Sequence, residues 1–294
     1  MSIIEAIVLG LVQGLTEFLP ISSSGHLILV PWLLDWESNG LAFDAALHLG
    51  TLVAVFSFFR KDIARMIGAI PTALKHPLWT LNASGEDSGE LDVDRHAIWG
   101  KLGLLIVIAS VPAGIVGLLG ENAIDEYFHD VANIDSAIAT VATLLIIFGL
   151  ILWWADRIGK KNRIIAGMVW TDAVVIGIAQ CLALLPGVSR SGITMSAGLF
   201  RNINRADAAR FSFLMGIPLI TVAGLNGVID IARDSPSSTQ IAEMAAGMIS
   251  AAVSGFVAIW GLLRFLQRSS TTVFVVYRIA AGVSVLILLS SRFR

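Results

Sequence analysis

Two polar islands, each set in a long apolar run, constrain this chain most. The first runs Gln13-Gly14-Leu15-Thr16-Glu17-Phe18-Leu19-Pro20-Ile21-Ser22-Ser23-Ser24-Gly25-His26. The second runs Gln180-Cys181-Leu182-Ala183-Leu184-Leu185-Pro186-Gly187-Val188-Ser189-Arg190-Ser191-Gly192. In both, a Gln on an apolar helix leads to Pro, a hydroxyl-rich loop, Gly and another apolar segment. The Gln-to-Gly spacing is the same, so Ser22, Ser24 and Gly25 fall on Ser189, Ser191 and Gly192, while the Pro is displaced by one residue. A spanning helix needs about 20 apolar residues, and the apolar stretch 27–34 is too short to cross. Two half-length helices joined by a polar loop make a re-entrant hairpin, here at about 2–35 and 171–200. Non-helical backbone at membrane depth is tolerated only where it is buried in protein or lines a wet cavity. The two islands are therefore expected to meet in a membrane-embedded site.

Composition makes lipid the natural solvent. The chain of 294 residues is 56% hydrophobic and 14% charged, with a mean hydropathy of +0.80; soluble domains run near about 25% charged. Spans read at 42–59, 102–119, 136–155, 211–231, 241–263 and 273–290. The expected fold is an all-α integral membrane protein of about six transmembrane helices plus the two re-entrant hairpins, forming one polytopic domain over 1–294. The lone Cys181 rules out an intrachain disulfide and reads as a packing thiol. No basic region precedes the first apolar run, so no cleaved signal peptide is expected. No stretch reads as a basic nucleic-acid patch, so nucleic acid is not an expected partner.

Charge placement sets an expected orientation. With both termini outside, the inside loops are 60–101, 156–170, 201–210 and 264–272. They hold most of the Lys and Arg; Arg233, Arg292 and Arg294 fall outside, and Arg278 lies just inside the last span. Loop 120–135 carries Glu121, Asp125, Glu126, Asp130 and Asp135 without Lys or Arg. This is the positive-inside pattern. The second hairpin then enters from the inside, opposite to the first, which is an inverted repeat with halves near 1–155 and 156–294 and with its polar loops at the midplane. Loop 82–94 is acidic, Gly/Ser-rich and without apolar periodicity, and reads as a solvated inside loop.

Glu17 is an ionisable group inside a membrane segment, a functional hypothesis by default. It lies one helical turn from Gln13, on the same face. Together they offer oxygens to a hard cation such as Mg²⁺ or Ca²⁺. Ser22, Ser23 and Ser24 cap the returning half-helix, and the amides and hydroxyls that cap it also suit phosphate. His26 is suited to nucleophilic or acid–base work near neutral pH. Arg190 cannot escape its charge, and no acidic residue lies between Asp172 and Asp207. Its partner is either Glu17 or an incoming phosphate held bidentately, with Ser189, Ser191 and Thr194 as further donors. His48 and Asp44, one turn apart in the first span, read as support for the site. Asp172 reads as a helix cap, Asp230 as a span end, and Trp153, Trp154 and Trp170 as an interfacial belt.

The stretches 13–26 and 186–194 (Pro-Gly-Val-Ser-Arg-Ser-Gly-Ile-Thr) resemble the two signatures of the undecaprenyl-diphosphate phosphatase, or bacitracin-resistance, family. The resemblance covers nearly the whole chain and includes Phe211-Ser212-Phe213-Leu214. It implies hydrolysis of undecaprenyl diphosphate to the monophosphate in the bacterial inner membrane, which regenerates the carrier for wall polymers and lowers the target of bacitracin. It also implies a divalent cation, a fold similar to inverted-repeat transporters and an active site reached from the periplasm. Gln13 stands where many members have a second Glu, so a metal would be held with one carboxylate fewer. Glu17 would position the cation on the diphosphate, and Arg190 with the hydroxyls would neutralise developing charge. His26, Ser23 or a direct water remain alternative attackers. A rival class is a transporter or flippase of a polyprenyl phosphate, since inverted repeats and broken helices are also transporter architecture. Phosphate release by purified protein separates the two.

Overall fold

The structure, a computed structural model, describes residues 1–36, 40–83, 93–129, 134–234 and 236–292. Among the described residues the chain is helical and has no strand. Five helices are long and apolar enough to cross a membrane, and a bent pair adds a sixth crossing. In chain order these crossings lie in α3 (Gly40–Phe58) with α4 (Arg60–Lys75), α6 (Val93–His129), α7 (Ile134–Ile158), α10 (Arg205–Asp234), α11 (Ser238–Leu266) and α12 (Thr272–Arg292). They match the expected spans, with longer ends. Large apolar side chains stay exposed along them, as far as Leu118 and Leu119 at 80% and 85%. That surface fits a lipid solvent and not water.

Two regions read as loops are helical. Segment 60–101 contains α4 and the short α5 (Pro77–Asn82) before α6 begins. α4 follows α3 after a 78° bend, and its polar and apolar residues segregate to two faces, a pattern that suits a membrane interface. The acidic stretch after residue 120 continues α6 as far as His129. The Gly/Ser-rich stretch read at 82–94 lies mostly outside the described residues.

The hairpins are α1 (Ile3–Phe18) with α2 (Ser23–Leu34), and α8 (Trp170–Cys181) with α9 (Arg190–Phe200). The returning helices have 12 and 11 residues, about 18 Å and 16 Å at 1.5 Å per residue, which is short of the roughly 30 Å hydrocarbon core. Each polar loop ends on a serine with positive φ: Ser22 at φ 77°, ψ 96° and Ser189 at φ 74°, ψ 114°. Such backbone costs on the order of 1–3 kcal/mol per residue. In both loops the serine Oγ accepts from the amide three residues on, Gly25 or Gly192, a cap that offsets part of that cost.

Helix directions follow from which residues meet. Gly10 and Gly14 of α1 lie against Gly247 and Ala251 of α11, so these helices run parallel. α3 also runs parallel to α11, with Gly50 on Met248 and Ala54 beside Gly255. α10 opposes α3, since Gly224 meets Leu49 and Gly227 meets Ala45. α6 runs with α10, with Ser110 on Met215 and Gly114 near Leu219. α8 runs with α6, with Gly177 on Ala109 and Leu184 beside Gly117. α8 is therefore antiparallel to α1, and the two hairpins enter the bundle from opposite faces. Each packs on a helix from the other part of the chain, α1 on α11 and α8 on α6. Small residues at these crossings let backbones approach closely.

One end of the bundle carries a belt of ion pairs. Asp172 accepts from Arg163 and Arg201, each at 2.6 Å, as well as capping Val169 N at 2.9 Å. Asp156 binds Arg205 at 2.6 Å and Asp62 binds Arg210 at 2.6 Å. Asp172 is thus the expected cap and also a tie between α8, α9 and the 159–169 connection. Trp153, Trp154 and Trp170 are exposed at this same end, where an interfacial belt belongs.

Candidate active site between the two hairpins

The two loops meet, as expected. The Ser22 Oγ accepts from Gly187 N at 3.0 Å, and the Ser191 Oγ donates to Leu19 O at 3.0 Å. Gly187 sits at φ +99° with Val141 O so close that a Cβ would have to displace it, so only glycine fits that turn.

Glu17 lies at the join. It is 6% exposed, and every donor around it comes from a different turn of the structure. Its Oε1 accepts from Arg190 Nη2 at 2.9 Å. Its Oε2 accepts from Ser23 Oγ at 2.6 Å and from Gln13 Nε2 at 3.2 Å, and His48 Nε2 stands 3.9 Å away. Ser23 and Arg190 hold the same place in the two islands, the residue after the strained serine. One carboxylate from the first hairpin is thus clasped by equivalent positions of both. Arg190 also donates through Nη1 to Ser212 O at 2.9 Å. A Cβ on Gly216 would overlap the guanidinium, so α10 leaves Arg190 its space by lacking a side chain there.

A cavity of about 200 Å³ opens beside this cluster. Its polar lining is Glu17, Ser23, Ser24, His48, Gln180, Ser189 and Arg190, and its apolar wall includes Ala113, Leu184 and Leu219. Phosphate fits such a mix: a fixed cation, several hydroxyls and a largely dry wall. His48 lines the cavity beside Glu17. Its Nδ1 is tied to Asp44 O at 2.8 Å, which turns Nε2 toward Glu17.

The structure does not bring every expected residue to the cavity. His26 is the main departure. Its Nδ1 donates to Ser22 O at 2.6 Å, so Nε2 accepts from the Tyr277 hydroxyl at 2.6 Å. Its ring stacks on Tyr277 with centroids 5.6 Å apart. Both His26 nitrogens are thus engaged and its ring lies outside the cavity lining, whereas Ser23 lines the cavity. Ser22, Ser191 and Thr194 serve the scaffold. Ser22 and Ser191 bridge the loops, and Thr194 donates to Arg190 O at 2.7 Å and pairs with Ser212 at 2.7 Å. Of the expected phosphate-binding hydroxyls, Ser24 and Ser189 line the cavity.

Gln13 is fully buried, and no donor among the described residues reaches its Oε1. Among the described residues no three His, Cys, Asp or Glu side chains group as a metal site. Glu17 and the Gln13 oxygen are the hard donors at hand. That set suits a cation whose remaining ligands are substrate phosphate and water.

Arg278 and Tyr277 carry more of the site than the sequence reading allowed. Arg278 is fully buried on α12. It donates to Pro20 O in the first loop, to Gly187 O and Val188 O in the second, and to Leu144 O and Leu145 O on α7. Its signal was an arginine inside an apolar span, which by itself argues for a role.

Comparison with known proteins shows the family. The family model for bacitracin resistance protein BacA matches residues 6–284. An undecaprenyl-diphosphatase of Thermomicrobium roseum is 46% identical over 292 residues, covering 99% of both chains. Those of Pelobacter propionicus and Geobacter sulfurreducens are each 43% identical, over 96% and 99% of this chain and 95% and 100% of their own. The match spans both hairpins, the Glu17–Arg190 join and the Arg278 brace, and this multi-pass membrane chain belongs to the bacitracin resistance protein BacA family.

Proposed function

We propose that the chain hydrolyses undecaprenyl diphosphate to undecaprenyl phosphate and phosphate, with Ser23 as the phosphoryl acceptor. The observation that carries this is the 2.6 Å hydrogen bond from Ser23 Oγ to Glu17 Oε2 at the cavity wall. A hydroxyl nucleophile needs a base within hydrogen-bond reach, and Glu17 is held in place by Arg190 and Gln13. In the first step Ser23 Oγ attacks the terminal phosphorus and its proton passes to Glu17. The bond from that phosphorus to the bridging oxygen breaks, and undecaprenyl phosphate leaves with the proton from Glu17, which is again a free carboxylate. In the second step water attacks the phosphoserine, the Oγ–P bond breaks, phosphate leaves and Ser23 recovers a proton. Arg190 has N–H groups beyond those held by Glu17 and Ser212, and these meet the charge on the transferring group. Glu17 and the Gln13 amide oxygen would hold a divalent cation, Mg²⁺ or Ca²⁺, and its chemistry when bound would be charge stabilisation of the phosphoryl group.

The test is phosphate release by the purified protein in detergent, where no transport is possible. The enzyme reading expects release from undecaprenyl diphosphate that Arg190→Lys lowers by at least about 10²-fold in kcat, the scale of losing one preorganised donor. KM should change less, because lysine keeps the charge and loses the planar fork. Tight lipid binding without phosphate release would favour a carrier of polyprenyl phosphate instead.

The basic residues at the ion-pair end and the positive-inside rule support cytoplasmic placement of that end, with the cavity serving the periplasmic side. Single cysteines in a Cys181-free background test this. Asp35→Cys and Ser238→Cys should react with an impermeant thiol reagent applied from the periplasm, and Lys75→Cys and Lys160→Cys should not. The reverse pattern would invert the orientation.

A further inference from the structure

Gln180 holds the position in the second island that Gln13 holds in the first. It is 1% exposed and lines the cavity with Glu17, Ser23 and Arg190. Its Nε2 donates to Ala109 O at 3.4 Å. A carbonyl accepts only from the amino end of the amide, so this bond fixes which way the group is turned. The amide oxygen is the free end, and no donor among the described residues reaches it. A buried acceptor left unmatched is costly, so the site favours a donor there.

That oxygen can only accept. Diphosphate oxygens and a phosphoserine present acceptors too, so this oxygen has nothing to offer the substrate's phosphates. What it can meet is a cation, which Glu17 and the Gln13 oxygen already serve, or a species bearing protons, and a cavity of about 200 Å³ has room for water beside a phosphate. We infer that Gln180 Oε1 accepts a hydrogen bond from the water that hydrolyses phosphorylated Ser23, turning a lone pair of that water toward phosphorus. This rests on Ser23 being the phosphoryl acceptor. The balance is that of the second step above: the water oxygen bonds to phosphorus, the Oγ–P bond breaks, and a water proton ends on Ser23. Gln180 gains and loses no proton.

The experiment uses the purified full chain in detergent and undecaprenyl diphosphate labelled on the terminal phosphate. In Gln180→Met, undecaprenyl phosphate should appear in a burst approaching one per enzyme. Free phosphate should lag by roughly 10²-fold, as for a misplaced reactant, and label should collect on Ser23. Gln180→Glu is the second variant. As a neutral acid it can donate to Ala109 O and still present an acceptor, so its lag should be the smaller of the two. Wild-type turnover in both variants would overturn the role of Gln180, as would a raised KM with no burst or a shifted midpoint for divalent-cation activation with no burst. If the wild type itself never labels Ser23 under rapid quench and Ser23→Ala still turns over, the Ser23 reading fails first, and the inference fails with it.

Discussion

Ser23→Ala should lower kcat by at least about 10³-fold, with the protein folded and still able to bind lipid. Removing a nucleophile leaves only the rate enhancement that binding and charge stabilisation supply on their own. The fold should survive because Ser23 contributes one side-chain bond, to a carboxylate that keeps Arg190 and Gln13 as partners. The informative comparison is His26→Gln. Glutamine keeps polar groups near Ser22 O and the Tyr277 hydroxyl but cannot serve as nucleophile. If His26 only braces the loop, kcat should fall far less in His26→Gln than in Ser23→Ala. The measurement is steady-state phosphate release on both variants beside a thermal melt. The opposite ranking, with Ser23→Ala near wild type, would return the nucleophile to His26 and require Tyr277 to move aside in the substrate complex.

The difference between these two residues shows where sequence reading stops. Glu17 and Arg190 were legible because a charge in an apolar run needs a partner, and the structure places them 2.9 Å apart. The hairpins were legible from the matched islands, and the opposed directions of α1 and α8 agree with the charge pattern. Ser23 could not be told from Ser22 and Ser24 by type or spacing. What separates them is the positive φ of Ser22, which makes it the cap and sets Ser23 against Glu17 as the first helical residue. That conformation depends on Gly187, 165 residues away in the chain. The surroundings of His26 were hidden for the same reason, since its partner Tyr277 lies on the last helix. The helical nature of 60–75 was missed because its apolar residues cover only one face, so it does not read as a span.

Arg278 gives the second large effect, and it is one of assembly before chemistry. Its guanidinium joins three elements through backbone carbonyls alone: the first loop at Pro20, the second at Gly187 and Val188, and α7 at Leu144 and Leu145. The Pro20, Gly187 and Val188 carbonyls lie at the break of each hairpin, where no helix satisfies them and no bulk water reaches. Removing one partner from a buried charged network costs about 3–5 kcal/mol, most of it from the groups left unpaired. Arg278→Met, which keeps the apolar stem, should therefore lower the melting temperature by roughly 10 °C, at 2–4 °C per kcal/mol for a chain of this size class. It should also abolish phosphate release, because Ser23 and Arg190 lose their common frame. Arg278→Lys keeps the charge but has one nitrogen for carbonyls on three elements, so it should recover part of the stability and little of the activity. Thermal melts and phosphate release on the two variants separate this from a direct contact with substrate. A phosphate-binding arginine would give a well-folded, inactive Arg278→Met with an unchanged melt. That result would move Arg278 from the frame of the site into the site itself.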